Sequence, residues 1–201
     1  MKKKQLEIFL QQVPSFQQPK ASLEQYQTPA PIAADMLFIA YGFNDIFHKT
    51  VVDLGCGTGI FTVGATLLQS EKSIGIDIDQ TALSQAKQFA SEKNLSISYI
   101  LGDITSYSDS ADTVMMNPPF GAQKANKHAD RLFIKKALDL APVVYSLHLS
   151  HTIPFVKRLV YALDAEITFE KRYQFSIKAM FDFHKKLVDQ VETSLVRIKS
   201  Q

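Results

Sequence analysis

The chain has 201 residues, with 22 Lys and Arg against 20 Asp and Glu and a formal net charge of +2. That length suits a single domain over residues 1–201 and is too short for two, and the near balance of charge neither demands nor forbids a nucleic-acid partner. An apolar share of 46% can bury a sheet between helices, no apolar run reaches a membrane span, and the lone Cys56 leaves no intrachain disulfide framework or cysteine metal cluster, so a reducing, cytoplasmic setting is expected.

Residues 1–12 are expected to form a short amphipathic helix, with Leu6, Phe9, Leu10 and Val13 along one side. A looser stretch, 14–31, joins it to a helix over about 33–41. Thr50-Val51-Val52-Asp53-Leu54 reads as a β-branched strand running into Gly55-Cys56-Gly57-Thr58-Gly59, with a helical segment over 60–68 directly behind. A second strand, Ser73-Ile74-Gly75-Ile76-Asp77-Ile78-Asp79, ends in acid about twenty residues after the glycine turn. Asp79 fits a helix cap for the segment that begins Gln80-Thr81. The third strand, 97–101, ends in Gly102-Asp103-Ile104. After a polar loop at 107–110, residues 112–116 form an apolar run bounded by polar residues, predicted as a buried strand, and Asn117-Pro118-Pro119-Phe120 closes it. Residues 121–130 are polar, 131–140 helical by spacing, 143–148 a fifth strand and 153–163 a helix. Residues 165–175 are strand-like, and 188–198 form the last strand. Seven strands with helices between them make an α/β chain.

Strand, glycine turn and helix together bring backbone N–H groups close to a bound nucleotide. A carboxylate at Asp77 can accept both ribose hydroxyl hydrogens of an adenosine, and Asp103 can take the amino group of its adenine. The spacing is not the G-x-G-x-x-G of a dinucleotide fingerprint. After the fourth strand, the Asn117 side-chain oxygen and the Pro118 carbonyl can accept the two hydrogens of a planar –NH2 group. The paired prolines Pro118 and Pro119 fix those acceptors in advance, and Phe120 offers a face for a base, with Tyr26 or Phe181 as further candidates.

Each of these has a plainer reading. Asn-Pro-Pro also ends strands as an ordinary turn. Cys56 reads as a small packing residue, and His148 and His151 as core or capping residues. Lys124, Lys127, His128 and Arg131 can track RNA phosphates or form a solvated loop. Phe181, Phe183, His184, Lys185 and Lys186 can line a base pocket or form a basic rim.

The Asp-Leu-Gly-Cys-Gly-Thr-Gly loop resembles the S-adenosylmethionine loop of class I methyltransferases. Leu23-Glu24-Gln25-Tyr26-Gln27-Thr28-Pro29, Met116-Asn117-Pro118-Pro119-Phe120-Gly121, Val144-Tyr145-Ser146-Leu147-His148 and Phe183-His184-Lys185-Lys186 extend the likeness over nearly the whole chain. On these the chain resembles the small-subunit ribosomal RNA adenine-N6 methyltransferases related to methyltransferase-like protein 5. The resemblance implies one Rossmann-like domain with a seven-stranded, mostly parallel sheet, helices on both faces, and a cofactor-covering segment within residues 1–42. It implies that Gln25, Tyr26 and Thr28 line the cofactor site with Asp53, Gly55, Gly57, Thr58, Gly59, Ile60, Asp77, Asp103 and Ile104. Asn117, Pro118, Pro119 and Phe120 would carry the chemistry, Lys124, Lys127, Phe181, Phe183, His184 and Lys185 would meet RNA, and no metal is called for, because a sulfonium methyl is already activated. It also implies a small zinc-binding activator protein of the Trm112 type, adding a strand to an exposed edge for which Ile74-Gly75-Ile76 and residues 97–101 are the candidates. A protein glutamine-N5 methyltransferase, whose substrate is a planar primary amide, and a non-catalytic RNA-binding or assembly factor are the alternatives.

Overall fold

The computed structural model describes residues 1–120, 129–178 and 188–200. In chain order the elements are α1 (Lys3–Leu10), α2 (Ala30–Gly42), β1 (Thr50–Leu54), α3 (Ile60–Leu67), β2 (Lys72–Asp77), α4 (Gln80–Glu92), β3 (Ser98–Leu101), β4 (Thr113–Met116), α5 (Ala129–Leu140), β5 (Val143–Leu149), α6 (Ile153–Ala162), β6 (Ala165–Lys178) and β7 (Val188–Ser200). Among the described residues the sheet has seven strands in the order β3-β2-β1-β4-β5-β7-β6. β1 to β5 run parallel, while β7 is antiparallel to β5 and β6 to β7.

This order sets the position of the site. The chain steps outward from β1 to β3, then returns to place β4 on the other side of β1. Where the direction reverses, connections leave β1 and β4 toward opposite sides and a crevice opens at the strands' carboxyl ends. The glycine turn after β1 and Asn117 after β4 both emerge there.

Side chains alternate across the sheet and divide the core in two. Val51, Met115, Tyr145 and Leu147 pack with buried residues of α1, α2 and α3, whereas Val52, Val114, Met116 and Val144 pack with those of α5 and α6. Leu6 and Leu10 of α1 are fully buried, as the amphipathic spacing requires. Asp35 of α2 binds Lys3 of α1 at 2.8 Å and the Tyr173 hydroxyl of β6 at 2.7 Å, which ties the amino-terminal helix to the far edge of the sheet. A second tie is buried: Arg197 Nε donates to Asp45 Oδ2 at 2.8 Å, and Tyr145 donates to the same oxygen.

Several boundaries move from the sequence expectation. The loose stretch contains a 3-10 turn at Ala21–Leu23, and α2 begins at Ala30 with Pro31 in its first turn. Proline there starts a helix instead of breaking one, since its missing N–H has no intrahelical partner to lose. β6 and β7 extend beyond the predicted 165–175 and 188–198, to Lys178 and Ser200, pairing antiparallel along their length. The edge assignment needs correction. Ile74-Gly75-Ile76 lies in β2, hydrogen-bonded to β1 on one side and β3 on the other. Only β3 of the two candidates is an edge, and there Ile100 and Leu101 are 39% and 50% exposed. Among the described residues no helix is long and apolar enough to cross a membrane.

Candidate active site

Gly57 and Gly59 adopt φ angles of +55° and +90°, a region that side-chain-bearing residues enter only with strain. A Cβ on Gly57 would sit 2.6 Å from the Phe16 ring, and one on Gly59 would sit 2.4 Å from the Tyr99 hydroxyl. Glycine is therefore required on two counts. The loop is fixed from below by Ile76, whose carbonyl accepts the Gly55 and Cys56 N–H groups at 2.8 and 3.0 Å. Gly59 caps α3, so the helix starts directly beneath the loop.

Above the loop lies a cavity of about 500 Å³, lined by Gly55, Gly57, Asp77, Ile78, Asp103 and Asn117, among others. Asp77 closes β2 and reaches back: its Oδ2 accepts the Gly57 N–H at 2.7 Å and its Oδ1 the Asp79 N–H at 2.8 Å. Burial pushes the Asp77 carboxyl up, opposed by these backbone donors. Asp53 is buried deeper, with an Oδ2 that has no hydrogen-bond partner. Burial and then the neighbouring Asp77 charge push its carboxyl well above the usual range, against the Thr62 backbone N–H. Asp103 behaves oppositely: hydrogen bonds from the Thr105 hydroxyl and N–H, at 2.7 and 2.8 Å, hold it below the usual range. Ile104 lines the cavity beside it.

At the end of β4, Asn117 Nδ2 donates to Thr28 Oγ1 at 3.1 Å, and Asn117 Oδ1 is buried without a partner. Pro119 lines the cavity with Asn117. Pro118 is buried, Phe120 is half-buried, and neither is among the lining residues. Apolar surface on that side comes instead from Leu132 and Phe133 of α5.

The segment between α1 and α2 crosses the cavity as a strap. Gln85 Nε2 of α4 donates to the Ser15 carbonyl at 2.9 Å. Lys20 Nζ and Gln25 Nε2 both donate to the Asp79 carboxylate at 2.7 Å, and Gln25 Oε1 accepts the Lys20 N–H at 2.8 Å. Gln25 and Tyr26 line the cavity, and the Gln25 amide is committed to fastening the strap. Asp79 also caps α4 by accepting the Thr81 N–H at 3.0 Å, as its sequence position suggests. Thr28, Asp53, Thr58 and Ile60 line a smaller inner recess that shares Asn117.

Phe16, Leu23, Glu24, Ile78 and Phe133 line the cavity but were not foreseen. Phe16 sits in a polar stretch with no periodic signal, and Phe133 is one apolar residue among several on its helix. Ile78 did leave a signal: it is 57% exposed, an apolar residue set between two acids at a strand end. Cys56 is buried, which pushes its thiol up and suits the packing role. His148 is buried in the core, and His151 is exposed in the turn Ser150–Thr152. Arg131 stacks over Phe155 at 4.8 Å. Lys124, Lys127, His128, Phe181, Phe183, His184, Lys185 and Lys186 lie outside the described residues.

Residues 34–141 match the methyltransferase small domain family. The rRNA N6-adenosine methyltransferase METTL5 of Danio rerio is 38% identical over 206 residues, covering 98% of this chain and 98% of the relative. The Drosophila melanogaster protein of the same name is 36% identical, covering 99% of this chain and 97% of its own length. A crystal structure from Pyrococcus horikoshii, of a protein assigned by inference as an RNA methyltransferase, superposes with a TM-score of 0.92 at 34% identity, over 100% of this chain and 98% of that one. Full-length likeness of this degree, on a fold that brings a glycine turn, two strand-end acids, Asn117 and Pro119 to one crevice, makes this chain a member of the METTL5 family of rRNA N6-adenosine methyltransferases.

Proposed function

We propose that this chain transfers a methyl group from S-adenosylmethionine to N6 of an adenosine in RNA, within small-subunit ribosomal RNA. One observation carries the reading: the Asn117 amide has its nitrogen on Thr28 and its carbonyl oxygen without a hydrogen-bond partner, on a residue that lines the cavity.

The residues fit the cofactor of this family, S-adenosylmethionine. A cavity of about 500 Å³ is of the size that encloses a nucleoside-sized ligand. Gly55 and Gly57 would admit the ligand close to the backbone, Thr58, Gly59 and Ile60 would complete that wall, and Asp53 would support it from beneath. Asp77 would hold the ribose: a carboxylate accepts about four hydrogen bonds, so the backbone donors on it leave capacity for a ribose hydroxyl. Asp103 and Ile104 would meet the adenine, and Gln25 and Tyr26 would close over it. When bound, the cofactor supplies a methyl group already activated for transfer.

The chain's own task is to prepare the nitrogen. An aromatic amine is a poor nucleophile because its lone pair is delocalised into the ring. Asn117 Oδ1 and the Pro118 carbonyl accept hydrogen bonds from its two hydrogens, which favours a more tetrahedral nitrogen with its lone pair free to react; the nitrogen becomes cationic on methylation and then loses one proton to solvent. Preorganised acceptors of this kind supply the acceleration through position and electrostatics. Pro119 and Phe120 stiffen and flank the clamp, and the base must be single-stranded or flipped to enter. Lys124, Lys127, Phe181, Phe183, His184 and Lys185 are proposed to meet the RNA.

The compartment proposed is the cytoplasm. The partner proposed is a small zinc-binding activator of the Trm112 type, adding a strand to the exposed edge of β3, where Ile100 and Leu101 offer apolar surface. The test of the function is transfer from labelled S-adenosylmethionine to separated RNA and protein fractions. Label recovered as N6-methyladenosine in small-subunit rRNA is the expected result. Label in glutamine of a protein would overturn the substrate, and no label in either, with cofactor bound, would overturn catalysis.

A further inference from the structure

Thr28 and Asn117 are 89 residues apart in sequence and meet at 3.1 Å, hydroxyl to amide nitrogen. An asparagine amide has nearly the same shape in its two orientations, and a hydroxyl can pair with either end; in this structure the Thr28 oxygen takes the nitrogen. Here the partner is Thr28, which is buried and held from both sides. On one side the strap is fastened through Gln25 and Lys20 to Asp79. On the other, α2 begins two residues later, at Ala30.

We propose that Thr28 is a positioning residue for methyl transfer: its hydroxyl takes the Asn117 amide nitrogen and thereby leaves the carbonyl oxygen to accept the substrate's amine hydrogen. This rests on the reading of Asn117 as an amine acceptor. In the inverted orientation an –NH2 group would meet the amine, donor against donor. Removing the hydroxyl leaves a buried amide nitrogen unsatisfied, and inversion toward the cavity then becomes the favourable outcome. The bond also gives the strap a second purpose, since the segment that crosses the cofactor cavity ends on the residue that orients the clamp.

Thr28→Val keeps the shape and removes the hydroxyl, Thr28→Ser keeps the hydroxyl, and both are compared with Asn117→Ala and with the Thr28→Val, Asn117→Ala double variant. The readouts are single-turnover methyl transfer to RNA at saturating cofactor, cofactor affinity by titration, and melting temperature. Thr28→Val is expected to slow transfer about five- to fifty-fold at saturation. Thr28→Ser should recover most of that loss, and the double variant should be no slower than Asn117→Ala alone, because the hydroxyl acts only through the amide. If Thr28→Val melts below the assay temperature, Thr28→Ala carries the same comparison. A wild-type rate for Thr28→Val at saturation, a loss that added cofactor fully restores, or a Thr28→Ser as slow as the valine would overturn the proposal. Near wild-type transfer by Asn117→Ala would instead sink the acceptor reading beneath it, so the two failures are told apart.

Discussion

Replacing Asp77 with asparagine tests how one side chain serves both the loop and the cofactor. The carboxylate holds the Gly57 N–H at 2.7 Å and the Asp79 N–H at 2.8 Å. Asparagine has the same shape but only one acceptor atom, so one of those amides must face an –NH2 group. A hydrogen bond to a charged group contributes about 1.5–3 kcal/mol. Part of that loss returns, because burial already disfavours the Asp77 charge. The net fall in stability should be about 1 kcal/mol. Cofactor binding should suffer more, since the proposed ribose acceptor goes while the Gly57 turn loosens. A loss of about 1.5–3 kcal/mol there lowers affinity about 10- to 150-fold. Calorimetric titration with S-adenosylmethionine beside a denaturant melt gives both numbers. Unchanged affinity with reduced stability would mean that Asp77 only shapes the loop and the ribose is held elsewhere.

Asn117→Ala should bind cofactor within about twofold of wild type yet transfer methyl at least a hundredfold more slowly, the loss expected when one preorganised partner of a reacting group disappears; single-turnover rates beside a titration check it. Gly57→Ala should weaken cofactor binding by at least about tenfold and stability by about 1–2 kcal/mol, because φ is +55° and the new methyl displaces Phe16 from the cavity wall. Burial pushes the His148 imidazole down to about 4, from an ordinary 6.5. Its neutral form therefore contributes stability that is fully present above 6.5 and lost as pH falls toward about 4, on the order of 3 kcal/mol. Denaturant midpoints across that window should fall more steeply for wild type than for His148→Gln; equal slopes would show that His148 is hydrated or paired.

Local chemistry was legible. The glycine turn announces itself because backbone conformation demands glycine, and Asp77 and Asn117 because strand ends put fixed acceptors at the crevice. Contacts between distant segments were not legible. Phe16 faces Gly57 only because the strap crosses the loop, and nothing in its own neighbourhood says so. Asp79 reads from sequence as a helix cap, which it is, but its bonds to Lys20 and Gln25 span more than fifty residues. The edge was half legible for the same reason. Composition marks β2 and β3 as strands, while the crossover back to β4 decides which of them is left at the rim.

The resulting site is joined by side chains that each hold backbone or amide groups of another segment. Gly57 donates to Asp77, Asp77 accepts Asp79's N–H, Asp79 holds Gln25, and three residues beyond Gln25 the strap ends on Thr28 and Asn117. The two acids at the end of β2 divide the work. Asp77 fixes the loop and remains at the cavity wall, whereas Asp79 fixes the strap and is nearly closed to solvent. Burial opposes the Asp79 charge, but Lys20, Gln25 and the Thr81 N–H outweigh it and hold the carboxyl below its usual range. Asp79 therefore stays ionised at neutral pH, and its attachments to the strap keep their full strength. An amine substrate needs acceptors already in place, since its nitrogen gains nucleophilicity only while both hydrogens are held. On the proposed reading, the paired prolines stiffen the turn after β4 and the strap adds, through Thr28, a tie to Asp79.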